Sequence, residues 1–444
     1  MPFSPTDSTI YASLFSQPDL AAIFSDERFV AALVEVEVAL ANVQGRLGII
    51  PVEAAKTIGA KATTFQVDFA ALQAGTEQAG IPTLDLLRQL RAHIGPAAAD
   101  YVHWGATSQD IMDTALVLQI RAALGLIEPS LATVITNLAH LAKQHRHTLM
   151  AGRTHSQQAL PIPFGLKVAG WLAPLLRHRQ RLAELKPRLL VVQFGGAAGT
   201  LASLGPAGLA VQEGLAAELG LGLLPTPWHT QRDGLAEMAG WLSLVSGSLA
   251  KMAQDIILLA QTEVGEVRES SDAARGGSST MPQKSNPIIS EGIIAAHRTN
   301  AGLLASMHQA LVQEHERATH GWQMEWLSLP QMFALTATAL QKATFLSANL
   351  AIDEARMRQN VAAANGLMLA EAISFALAAH MSRTEAKALV KEAVAVGLAE
   401  ERHLVDVVRE KSQAPLDWAA LKDETAYFGG SDEFINRVLQ EVAD

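Results

Sequence analysis

Cysteine is absent from the 444 residues, which excludes disulfides, thiolate metal sites and cysteine nucleophiles. Aromatic residues are scarce at 5% and charged residues reach only 18%, against 49% hydrophobic content. Such a chain is not disordered, because it can bury a large core. Its mean hydropathy of +0.17 is high for a soluble protein. Obligate interfaces resemble a core cut in half, so a homo-oligomer is expected. No apolar run reaches the length of about 18 residues that crosses a bilayer. Even the stretch from Val30 to Val43 is interrupted by Glu35 and Glu37, so no membrane partner is expected. The N-terminus lacks a basic region followed by an apolar stretch, and a cytoplasmic location is expected. The formal net charge of -10 argues against nucleic acid as the main partner, since phosphate binding needs a basic face. An anionic substrate would have to be held by a local cluster of cations.

Proline is also missing where it matters, between Pro227 and Pro282 and again between Pro287 and Pro330. In the first window Met238, Trp241, Val245, Leu249, Met252, Ile256 and Leu259 recur at steps of three or four, which predicts one helix from about Asp233 to Glu266. In the second, Ile288, Ile289, Ile293, Ala296, Leu303, Leu304 and Met307 supply the apolar positions. Two further helices are expected over about Asp110 to Ile127 and Ser130 to Leu149. Runs of period two rich in β-branched residues are not found, so the fold is expected to be all-α. Helices of this length belong to bundles, which predicts a long central helical bundle. Three helical domains are expected: residues 1–104, a central domain over 105–350 and a C-terminal domain over 351–444.

The turn signals lie between those helices. RGGSSTMPQKSNPI, Arg275 to Ile288, is longer than a plain helix connection needs, and it combines glycines with hydroxyl groups and a lysine. Such a loop is suited to closing over a substrate. GRTHSQQALPIPFG, Gly152 to Gly165, sets His155 just past a helical segment; a lone histidine is more often structural, but the neighbours Arg153, Thr154, Ser156 and Gln157 are too polar for a core. HWGATSQDIMDT, His103 to Thr114, reads as a helix start with Thr107, Ser108 and Asp110 able to cap, and capping alone would account for it. His145 with His147, and His315 with His320, are badly spaced for a metal, and none is expected.

These residues carry a resemblance. GSSTMPQKSNP (277 to 287) resembles the signature loop of the fumarase/aspartase superfamily, and GRTHSQ and GATSQD resemble its two other shared regions, in family order. The resemblance implies a homotetramer whose active sites are each assembled from three subunits, with no cofactor. It implies Ser278 as the catalytic proton carrier at carbon and His155 as the histidine beside the leaving group. Lys284 and Asn286, with Thr107, Ser108 and Thr200, would stabilise the aci-carboxylate formed next to a substrate carboxylate. Thr154 and Gln157 belong to the same substrate-binding set.

The segment Gln313 to Pro330 keeps His315, Glu316 and Arg317 and then departs from the serine-rich pattern of the adenylosuccinate lyases into GWQMEW. With the other motifs, it resembles the branch that lactonises 3-carboxymuconate. That implies a tricarboxylate substrate, for which Lys284, Arg153, Arg317 and Arg298 are the candidate cations. Core packing would equally explain Trp322 and Trp326, four apart on one helical face. A fumarate-releasing lyase of the same superfamily and a non-catalytic structural homologue are the alternatives.

Overall fold

The computed structural model describes residues 4–270, 276–277, 280–281 and 284–443. The chain is predominantly helical, as expected, and folds into two compact units, each drawn from three segments. One unit comprises Met1–Pro129, Arg179–Ser246 and Ala296–Thr338; the other comprises Ser130–His178, Gly247–Ala295 and Ala339–Asp444.

After short helices at Ala12–Phe15 and Pro18–Ile23, the first unit builds its first long helix, α1, Asp26–Arg46, which Ser25 caps by accepting from the Arg28 amide. Asp26 and Glu27 in its first turn and Arg46 in its last complement the helix dipole. Val30, Leu33, Val36 and Leu40 of α1 form a core with Ile111, Ala115 and Leu118 of helix α2, Ser108–Gln144. Phe194, Val211, Leu215 and Trp322 complete that core.

The second unit holds the antiparallel hairpin of β1, Leu149–Thr154, and β2, Gln157–Pro163. It also contains helices 370–378, 383–400 and 404–411, whose Ile373, Leu377, Val390, Leu404 and Val408 pack together. A capping box between Ser382 and Glu385 starts the middle one of these.

Five helices contribute residues to both units: α2, α3 (Phe164–Leu189), α4 (Asp233–Leu259), α5 (Ile288–Gln309) and α6 (Gly321–Asn349). All seven periodic positions of α4 are buried, as their spacing predicts. The helix ends seven residues before the expected Glu266, and Gly265 beyond it adopts φ +62°.

Three expectations are corrected. Pro129 does not divide two helices but lies inside α2, and Pro330 likewise lies inside α6. A proline removes one backbone donor, and burial of Ile127, Leu131 and Val134 on the turns either side of Pro129 favours the unbroken helix. The GRTHSQ segment is a β-hairpin, because Gly152 and the two-residue turn after Thr154 let a short chain double back. Finally, α2 and α4 are long and apolar enough to cross a membrane by length and composition. Scattered polar residues interrupt both apolar stretches, so neither is an unbroken run. About half of each apolar stretch is buried within the chain itself.

Candidate functional site

In the first unit, Thr107 in the turn before α2 and Ser108 at the first position of the helix are both half-buried. Thr107 flanks the helix start, yet its hydroxyl is not used as a cap. It accepts a 3.0 Å hydrogen bond from Nη1 of Arg317, which lies in the loop before α6. Asp110, in the first turn of α2, accepts instead from the Thr107 amide at 3.0 Å. Burial holds the Arg317 guanidinium below its ordinary arginine value, with the fields of Asp110 and Asp113 acting in the opposite sense. Among the described residues Arg317 has no carboxylate within ion-pair distance. His315, two residues before it, is exposed with φ +49°, and Thr200 is exposed on the turn after Phe194. Arg298 is exposed on α5.

Beneath these groups lies a buried polar network. Asp113 accepts from Arg232 through both oxygens, at 2.6 and 3.0 Å, and from the Trp322 indole at 3.0 Å. The same guanidinium donates to Glu325 at 2.8 and 2.5 Å and stacks on the Trp228 ring, 4.8 Å from its centroid. Burial opposes the Arg232 charge, but the two carboxylates outweigh it and raise its pKa, while burial pushes Glu325 up. The GWQMEW run is therefore an anchor: Trp322 ties the start of α6 to α2 directly and Glu325 does so through Arg232, and Trp326 stacks edge-on against Trp322 at 4.9 Å.

His103, just before the turn, adopts φ +65°, and its Nδ1 donates to Oε1 of the buried Glu37 at 2.6 Å. Burial works against the imidazolium, yet the Glu37 carboxylate and its hydrogen bond prevail and raise the His103 pKa.

In the second unit every position of GRTHSQ has a local reason. Gly152 sits at a register shift in the hairpin, where a Cβ would meet the Leu160 carbonyl at 2.9 Å. Arg153 forms a bidentate pair with Glu266 at 2.8 and 2.7 Å, and Glu266 is fully buried. Asn360 donates to the same carboxylate at 2.8 Å. Thr154 pairs with Gln157 across the turn. His155 and Ser156 form the tip with φ +49° and +64°, a left-handed pair that a two-residue turn of the primed type requires. Non-glycine residues held there are strained, a mark of functional positions. Thr154 to Gln158 are all exposed.

The signature loop is pinched at its neck. The Asn286 amide donates to the Gly276 carbonyl at 2.8 Å, and Gly277 bridges to Ser285. Gly276 has φ +74°, and a Cβ on it would lie 2.3 Å from the Asn286 carbonyl oxygen. Glu269 fixes the start of α5 by accepting from the amides of Ile289 and Ser290 at 3.1 and 2.6 Å. Lys284 is exposed and Asn286 half-buried. Ser278 lies outside the described residues.

The lyase family matches the chain over residues 16–299, and the adenylosuccinate lyase C-terminus family matches residues 366–438. A 3-carboxy-cis,cis-muconate cycloisomerase of Pseudomonas aeruginosa is 43% identical, over 97% of this chain and 96% of that protein. The chain belongs to the fumarase/aspartase superfamily of lyases. Trans-aconitate decarboxylase 1 of Mycosarcoma maydis is 41% identical, over 96% of this chain and 88% of that protein. The crystal structure of the 3-carboxy-cis,cis-muconate lactonizing enzyme from Pseudomonas putida superposes with a TM-score of 0.93 at 41% identity, covering 98% of this chain and 99% of that one.

Within this superfamily chain, the structure brings Thr107 and Arg317 together and carries His155 at the tip of the β1–β2 hairpin. Sequence reasoning missed Asp113, Arg232, Glu266 and Glu325. One signal was available: Asp110 and Asp113 stand three apart on an otherwise apolar helix, and buried acids of that kind need partners.

Proposed function

We propose that the chain is a 3-carboxy-cis,cis-muconate cycloisomerase, lactonising the tricarboxylate to carboxymuconolactone in protocatechuate (β-ketoadipate) catabolism. The observation that carries the reading beyond kinship is the contrast between two arginines. Arg232 is saturated by two carboxylates, whereas the half-buried Arg317 has, among the described residues, the Thr107 hydroxyl as its hydrogen-bond partner and no carboxylate. A guanidinium in that condition is suited to an arriving carboxylate. Lys284 supplies a second cation, exposed and with no ion pair among the described residues.

In this reading one substrate carboxylate, ionised at neutral pH because its reference pKa is about 4, attacks the conjugated double bond. A carbon–oxygen bond forms, and the π electrons move into an aci-carboxylate stabilised by Lys284, Asn286, Thr107, Ser108 and Thr200. A proton taken up through Ser278 then adds to carbon. His155, with Thr154 and Gln157, orients the attacking carboxylate, while Arg153 holds the hairpin through Glu266. Arg317, with His315 near it, receives a further carboxylate. We infer a cytoplasmic homotetramer in which three subunits supply each site. The exposed, strained tip at His155 supports this, as do Leu244, Leu258 and Leu327, which are 51%, 45% and 70% exposed on long helices.

The test is to incubate the protein separately with 3-carboxymuconate, trans-aconitate and adenylosuccinate and to follow absorbance and released carbon dioxide. Loss of the muconate chromophore with lactone formation is expected. Turnover of trans-aconitate alone would make it a decarboxylase, fumarate from adenylosuccinate a lyase, and no turnover at all a structural homologue.

A further inference from the structure

Asp110 is completely buried, and its carboxylate accepts five hydrogen bonds. Oδ1 receives Nε2 of His229 at 2.7 Å, the Gly195 amide at 2.9 Å and Nε2 of Gln193 at 3.2 Å. Oδ2 receives the Gly196 amide at 2.9 Å and the Thr107 amide at 3.0 Å. The donors come from three segments far apart in sequence: the turn before α2, the loop after Gln193 and the segment before α4. A buried carboxylate is tolerated only with such partners, and this one has them on both oxygens.

The segments it joins are those that carry the proposed carboxylate ligands. The Thr107 amide goes to Asp110 while its hydroxyl goes to Arg317. Gly195 and Gly196 open a tight turn closed by the Leu201 amide on the Gly195 carbonyl, with Thr200 just before Leu201. The contacts leave no slack. A Cβ on Gly195 would lie 2.9 Å from the His229 ring, and one on Gly196 would lie 3.3 Å from the Gly105 carbonyl. Donors aimed at charge that develops in a transition state contribute only if they are already in place.

We propose that Asp110 is a positioning residue which, with His229 as its principal side-chain partner, presets the turns bearing Thr107 and Thr200 for the aci-carboxylate. It acts through the two turns and does not touch substrate. Asparagine cannot replace it, because both oxygens already accept from N–H groups and an amide nitrogen in either place would oppose them. Its kinetic readout rests on the proposed lactonisation.

Asp110→Asn should lower kcat on 3-carboxymuconate about a hundredfold while KM changes less than about fivefold, the scale of losing oriented oxyanion donors. His229→Gln, which can still donate to Oδ1, should stay within about threefold of the parent, whereas His229→Leu should lose about tenfold in kcat. Hydrogen exchange gives a readout that needs no substrate: the amides of Thr107, Gly195 and Gly196 should exchange faster in Asp110→Asn. A folded Asp110→Asn protein with parental kcat and parental exchange at those amides would overturn the proposal. If that variant does not fold, equal kcat for His229→Leu and His229→Gln would overturn it instead. Should the parent protein fail to lactonise 3-carboxymuconate, the proposed function falls while the exchange experiment still decides the role of Asp110.

Discussion

The guanidinium of Arg317 and the hydroxyl of Thr107, separated by 210 positions in sequence, meet at 3.0 Å. The pair joins the loop before α6 to the turn before α2 and leaves the arginine without a carboxylate partner among the described residues. Replacing Arg317 with Ala should therefore weaken substrate binding by about 10- to 100-fold, the equivalent of one charged hydrogen bond of about 1.5–3 kcal/mol. Titration calorimetry with a slowly turned-over tricarboxylate checks this, and unchanged affinity would remove Arg317 from the site.

Ser278 and His155 should behave differently. Because the attacking carboxylate is already ionised, no base is required to activate it, and one proton carrier is enough. Ser278→Ala should abolish lactonisation, while His155→Gln should retain a measurable rate. Equal and complete loss in both variants, with binding intact, would refute that division of labour.

Gly276 is required by geometry at the neck of the signature loop. With φ +74° and an added Cβ only 2.3 Å from the Asn286 carbonyl oxygen, Gly276→Ala must displace Asn286 or open the neck. Activity should fall at least tenfold, as expected when a reacting group is misplaced by about an ångström. The urea midpoint should move little, because the change is confined to a loop. Activity equal to the parent would show that Asn286 need not be held there.

The His103–Glu37 pair gives stability a pH signature. The folded His103 pKa is raised above its unfolded value of about 6.5, so the pair stabilises fully below that pH and its contribution fades as pH rises through the folded value. Glu37→Gln should narrow the gap to the parent progressively as urea unfolding is repeated from pH 6 upward. A gap that widened with pH would mean that the imidazole is neutral in the fold.

How much of this was legible beforehand depends on the range of the interaction. The seven-residue stripe of α4 is written in local spacing, and all seven side chains are buried. The hairpin at His155 was not legible, since its turn is built on two non-glycine residues at positive φ, a choice that local propensity disfavours. In the sequence Pro129 and Pro330 look like breaks, because propensity weighs a proline in isolation, whereas in the fold both lie inside long helices.

Sequence by itself determined the helical class, the three motif segments and their kinship with the superfamily, because periodicity and short motifs are local properties of a chain. Tertiary structure decided which charges are already paired. Arg153, Arg232 and Arg317 are chemically identical in the sequence, yet Glu266 engages the first, Asp113 and Glu325 the second, and a neutral hydroxyl the third. A charge is defined by its partners, and these partners come from segments that only folding brings within 3 Å of one another.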